Sequence, residues 1–193
     1  MRKAARLIGI LLFGALLSAC ASDRMRALDR APALVTSPAA DKATLVFFSP
    51  FSDAGGAMRS SVFDISDGRM DLIGIVSTGR KVAYGSNTGR RRFMVIGESA
   101  DFLEADLLPG KTYHARIVTR LGAWKARFSL VPVVSSDPKL EGELNACKWV
   151  ENSPASYAWA QDNMPSIRAK LAKYLPEWER KAAKPFLAAS DGR

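Results

Sequence analysis

Residues 43–133 predict a mainly β domain folded as an antiparallel β-sandwich, and residues 134–193 predict a linker and C-terminal helices behind it. Three observations lead there. Short β-branched and aromatic runs recur at roughly ten-residue spacing between clusters of Gly, Pro, Ser and Asp, which is the texture of a sandwich. Two later stretches alternate apolar and polar residues, the period of a half-buried antiparallel strand. No strand–helix alternation of the doubly wound kind occurs, and helical spacing begins only after Ser153-Pro154.

Ala43-Thr44-Leu45-Val46-Phe47-Phe48 opens the domain as a largely buried strand and is closed by Ser49-Pro50. Ser52-Asp53-Ala54-Gly55-Gly56 reads as a loop. Ser61–Ile65 and Asp71–Val76 form a hairpin across Ser66-Asp67-Gly68-Arg69, because Asp-Gly supplies the positive φ of a tight turn. Further strands are expected at Lys81–Tyr84, Arg92–Ile96, Phe102–Leu107, Lys111–Thr119 and Trp124–Val133. Within Lys111–Thr119, Tyr113, Ala115, Ile117 and Thr119 share the core face, which leaves His114 and Arg116 toward solvent. Ala126, Phe128 and Leu130 point inward in the next strand, with Lys125, Arg127 and Ser129 outward.

The tail opens with Ser153 as N-cap and Pro154 at the first helical position. Tyr157, Ala160, Met164, Ile167, Leu171, Tyr174 and Trp178 then follow at steps of three and four, tracing one apolar stripe that suits packing on the sandwich. Pro165 and Pro176 each remove a backbone hydrogen bond, so separate segments are expected near 154–163, 165–175 and 176–184.

The first twenty residues carry a different message. Arg2, Lys3 and Arg6 precede the apolar Leu7–Leu17, the basic and hydrophobic regions of an export signal. The run is too short for a membrane span, which needs about 20 apolar residues. Leu17-Ser18-Ala19-Cys20 resembles the lipobox of bacterial lipoproteins, in which the signal (residues 1–19) is removed and the cysteine thiol receives a diacylglyceryl group. The resemblance implies lipidation at Cys20, and Ala21 behind it implies sorting to the outer membrane, facing the periplasm. Residues 20–42, with Pro32, Pro38 and mixed charges, read as a flexible tether.

Leu108-Pro109-Gly110-Lys111 between two strands resembles a corner of small β-sandwich domains found in uncharacterised bacterial lipoproteins, over roughly residues 43–131. That resemblance implies an immunoglobulin- or transthyretin-like sandwich and brings no catalytic residues with it.

The 193-residue chain carries a formal charge of +9. Residues 42–133 hold 13 cations against 8 acids, while residues 134–193 hold 9 against 8, so the excess lies in the β domain. Arg80 and Lys81, with Arg90, Arg91 and Arg92, flank one short segment and form the candidate anion site, since guanidinium groups grip phosphate or carboxylate in bidentate fashion. Lipid head groups or anionic glycans suit an exported protein better than nucleic acid.

Chemistry finds less support. The single histidine, His114, builds no multi-histidine zinc site, and no metal or other cofactor is expected. With Cys20 lipidated, Cys147 has no disulfide partner and reads as a small buried hydrophobe near Trp149 and Val150. Asp64–Asp71 lacks the ligand spacing of a calcium loop, and neither a Gly-x-Ser-x-Gly elbow nor a phosphate loop occurs. No catalytic residue is nominated. The sequence points to a lipid-anchored, non-enzymatic binding or assembly module of the envelope, of which the periplasmic subunit of a secretion apparatus is one form. The alternative is an envelope hydrolase acting on glycan or peptide.

Overall fold

Every residue of the strand Ala43–Ser49 is buried, and the reason is that both of its faces are covered. In the computed structural model, which describes residues 25–51, 58–121 and 126–193, two sheets stack and a helix covers the outer face of each. The strands are β1 (Met25–Ala27), β2 (Ala43–Ser49), β3 (Arg59–Asp64), β4 (Asp71–Ser77), β5 (Arg80–Ser86) and β6 (Gly89–Ile96). They continue with β7 (Ala100–Leu107), β8 (Thr112–Leu121), β9 (Ala126–Val133), β10 (Lys148–Asn152) and β11 (Phe186–Leu187). The helices are α1 (Ala33–Thr36), α2 (Leu140–Ala146) and α3 (Pro154–Glu179). One sheet has the order β1-β10-β5-β2-β8-β9 and the other β11-β7-β6-β3-β4.

The predicted sandwich is present, and β2 to β9 lie where the eight expected strands were placed. The sheets are mixed rather than antiparallel: β2 runs parallel to β8, β10 to β5 and β11 to β7. Between the sheets, Leu45, Phe47, Phe93, Leu103, Tyr113 and Leu130 form the central core. Phe47 and Phe93 meet edge to face at 5.4 Å, a favoured aromatic geometry. The β3–β4 hairpin turns at Asp67 (φ 56°) and Gly68 (φ 72°), the left-handed region that Asp-Gly was expected to supply.

The outlying segments differ from expectation. Residues 20–42 are not a tether throughout, because β1 pairs antiparallel with β10 and α1 follows it. The sandwich does not end at residue 133 either: β10 and β11 return from the tail into both sheets. These strands also blunt an edge. The Asn152 side chain donates to the carbonyls of Leu72 (3.3 Å) and Ile73 (3.0 Å), while the Ile75 N–H donates to Met25 Sδ at 3.3 Å. The free side of β4 is thereby partly occupied, which protects it from pairing with another chain.

The C-terminal helix is a single element, not three segments. Pro165 and Pro176 lie inside it, on its exposed side. The carbonyls they leave without donors belong to Gln161 and Ala172, also on the exposed side, where solvent can reach them. Ala160, Ile167 and Trp178 bury against Phe63, Met94 and Phe102, so the apolar stripe packs on the sandwich as expected. Tyr157 alone stays 53% exposed.

Candidate functional site

The expected anion-binding residues do not gather into one patch. Arg80 opens β5 and Ser86 closes it, and a seven-residue strand rising about 3.3 Å per residue holds its ends roughly 20 Å apart. Arg80 and Lys81 therefore sit at one end of the sandwich, and Arg90, Arg91 and Arg92 on β6 at the other.

At the β6 end the cations are committed to carboxylates of the fold. Arg91 is 4% exposed and bonds Asp67 Oδ2 at 2.5 Å and Asp64 Oδ2 at 3.2 Å. Asp64, 2% exposed, also accepts from the Tyr84 hydroxyl (3.0 Å) and the Ser66 N–H (2.9 Å). Burial opposes the charge on Arg91, but the two aspartates outweigh it and its pKa rises above the ordinary value. Burial, then the Asp64 carboxylate, pushes the Tyr84 phenol upward. Arg90 and Arg92 share Glu104, and Arg92 also reaches Glu179 of α3 at 2.9 Å. Glu104 is partly shielded from water, which raises its pKa, yet the two guanidiniums win and hold it low.

Lys81 is likewise internal. Its Nζ donates to the Leu144 carbonyl at 2.6 Å and lies 4.4 Å from the centre of the Trp149 ring. Burial lowers its pKa, against the opposing influence of Cys147 and Glu141. Of the five predicted cations, only Arg80 makes neither an ion pair nor a side-chain hydrogen bond among the described residues.

The Arg80 end is where strand pairing assembles an unforeseen cluster. Lys148 at the start of β10 is the register partner of Arg80. Arg120 at the end of β8 is the register partner of Arg127 at the start of β9. Arg59 opens β3 opposite Ser77, and the Thr78-Gly79 turn leads from there to Arg80. All but the half-buried Arg80 are exposed, and none of the five forms an ion pair among the described residues. Like charges directly opposite on neighbouring strands destabilise a sheet by about 0.2–1 kcal/mol per pair. Phe51, 70% exposed, follows the end of β2 at this same pole. Its ring lies where a Cβ on Gly79 would stand, so Gly79, at φ 72°, is the residue that fits beneath it.

Beside this cluster a cleft of about 500 Å³ opens between α3 and the sandwich. Ile75, Phe128, Trp159 and Ile167 give it an apolar floor, and Arg59 and Lys170 stand at its rim. Lys170 Nζ is held by the Gly97 carbonyl at 2.6 Å. A cleft of that size with a few polar groups suits binding of a small apolar or amphiphilic group.

Nucleophilic chemistry is not assembled in the cleft. Its hydroxyls, Ser61 and Ser166, have no imidazole near them, because His114 lies under α2 on the far face of the other sheet. His114 was expected to face solvent but is 2% exposed, since α2 and the C-terminal Arg193 close over that face. Burial, aided by Arg193, lowers its pKa to about 4. Cys147 is buried and free, its thiol 3.6 Å from the Ser49 carbonyl, and burial pushes its pKa up to about 11. Val46, the partner of His114, is three residues from Ser49, so about 10 Å of strand separates the imidazole from the thiol. A thiol so far above neutral pH is a poor nucleophile.

Among the described residues no group of three or more His, Cys, Asp or Glu side chains could hold a metal ion. No helix among them is long and apolar enough to cross a membrane. Cys20 lies outside the described residues. No protein-family model matches the chain, and no match is found among curated proteins.

Proposed function

We propose that the chain is an exported lipoprotein, anchored through Cys20 in the outer membrane and facing the periplasm, whose sandwich is a non-enzymatic binding or assembly module of the cell envelope. The observation that carries the binding role is the end of the sandwich where Arg59, Arg80, Arg120, Arg127 and Lys148 form no ion pair among the described residues, beside a largely apolar cleft that Glu98 also lines. The buried Arg91 and the part-buried Arg116 are paired with carboxylates of the fold. Cations left open on strand ends, with apolar surface next to them, suit an anionic or amphiphilic partner.

The anchor rests on Arg2, Lys3 and Arg6, the apolar Leu7–Leu17 and the Leu17-Ser18-Ala19-Cys20 site. Several acyl chains on one residue give lasting attachment, which a single chain does not. Fractionation of cells expressing Cys20→Ala tests the reading. Release of the variant from the membrane fraction is the expected result, with the native chain retained there. Unchanged membrane association would contradict it.

A further inference from the structure

We infer that the Arg59–Arg80–Arg120–Arg127–Lys148 end of the sandwich is a docking face for an anionic lipid surface. The inference deepens the lipoprotein reading and rests on it for the choice of partner. Three features bear on this face, and the first two select it.

The first is charge. Arg80 with Lys148, and Arg120 with Arg127, are like-charged register partners on neighbouring strands. The described acids of this end include Glu98, which lines the cleft with Arg59, and Asp101, whose carboxylate faces Lys181 at 3.6 Å. An isolated sheet gains nothing from such pairs, whereas a layer of phosphate head groups neutralises both members at once.

The second is Phe51, exposed beside the cations and stacked on Gly79. An aromatic ring among basic side chains matches the boundary between head groups and acyl chains, where the ring enters and the cations remain at phosphate level. A soluble polyanion has no apolar layer to receive that ring.

The third is reach. Five residue steps separate Cys20 from Met25, and an extended chain spans at most about 3.3–3.6 Å per residue, so the lipid lies within roughly 17 Å of β1. Met25 pairs opposite Asn152, and four steps along β10, about 13 Å, lead from there to Lys148. Asn152 lies level with Tyr84, two residues from the other end of β5, so a Cys20 held in the bilayer leaves both ends of the domain within reach, and charge and Phe51 choose between them.

Co-sedimentation with vesicles tests the face apart from the anchor. The Cys20→Ala chain taken from the soluble fraction, its amino terminus checked by mass spectrometry to lack residues 1–19, carries neither lipid nor signal, so its binding reports the protein surface alone. With vesicles of phosphatidylcholine containing about one-third phosphatidylglycerol, binding is expected to exceed that to pure phosphatidylcholine at least tenfold and to collapse in half-molar salt. Each cation near such a surface contributes about fivefold. Arg80→Ser, Arg120→Ser and Arg127→Ser together are therefore expected to lower it by tenfold or more, with the thermal midpoint retained as the check on folding. Phe51→Ser gives a second arm that leaves the charge unchanged and is expected to weaken binding severalfold.

Equal binding to both vesicle types, or binding unmoved by the triple variant, overturns the inference. So does retention on immobilised polyphosphate without vesicle binding, which assigns the face to a soluble polyanion. The Cys20 fractionation and the vesicle experiment fail independently, so loss of the anchor reading and loss of the docking face are distinguishable.

Discussion

The two ends of the sandwich treat the same residue type in opposite ways. At one end Arg91 is almost wholly buried and held between Asp64 and Asp67, and Arg90 and Arg92 converge on Glu104. At the other, Arg120 and Arg127 face each other across neighbouring strands with no carboxylate among the described residues. For Arg91 the difference is one of dielectric environment, while the exposed Arg90 is paired because β7 places Glu104 beside it. A buried guanidinium must be paired, because an uncompensated charge inside the fold costs several kcal/mol. An exposed one is solvated by water, so it can remain open for a partner at little cost to the fold. The first end uses arginine as structure, and the second leaves it available.

The contrast is broken most severely at Asp64. Asp64→Ala removes a carboxylate that Arg91, Tyr84 and the Ser66 N–H all use, leaving a buried cation behind. A loss of about 3–5 kcal/mol is expected, or roughly 10 °C in Tm by calorimetry. A change below 1 kcal/mol would mean that the buried network is not structural.

His114 comes next. It is buried as a neutral base, with a pKa of about 4 against an unfolded value near 6.5. The unfolded chain therefore binds more protons between these values, so stability is present above about pH 6.5 and is lost as pH falls toward 4, by up to about 3 kcal/mol. Denaturant unfolding as a function of pH should show this slope, and His114→Leu should flatten it. An equal slope in the variant would assign the acid sensitivity to the carboxylates instead.

The smallest effect belongs to the open end. Arg127→Thr relieves the repulsion with Arg120 and places a β-branched residue in β9. Stability is expected to rise by about 0.2–1 kcal/mol, measured from the midpoint of urea unfolding. A clear loss of stability would show that Arg127 serves the fold after all.

The central strands were legible because their local pattern and their tertiary setting agree. Ala43–Ser49 is apolar enough to be buried on both faces, and Asp67-Gly68 turns where Asp-Gly should. Short strands were not legible: Met25–Ala27, Lys148–Asn152 and Phe186–Leu187 carry too few residues to show a period of two, and pairing with distant partners creates them. α2 hid for a related reason, although Leu140 and Leu144 stand at helical spacing. Its absence from the sequence reading reversed the environment of His114, since without α2 that face of β8 is solvent. Two prolines broke the tail on paper but not in space, because both sit on the exposed side of α3.

Of the candidate site, the sequence exposed Arg80 and the excess of cations in the β domain. Residues adjacent in the chain, such as Arg90 and Arg91, proved to be committed to carboxylates. The residues that join Arg80 come from three other parts of the chain, and only strand register brings Lys148 and Arg127 into place beside their partners.

The most direct test of the two-ended arrangement compares equal removals of charge at each end. Lys42→Ser with Lys111→Ser takes two cations from the end that holds the Asp64 network, where Lys42 donates to Asn87 at 2.6 Å. Arg120→Ser with Arg127→Ser takes two from the open end. Binding of each Cys20→Ala double variant to phosphatidylglycerol-containing vesicles should fall by tenfold or more for the arginine pair and by less than twofold for the lysine pair. Equal losses from both would make the attraction a matter of net charge alone and contradict a dedicated docking end.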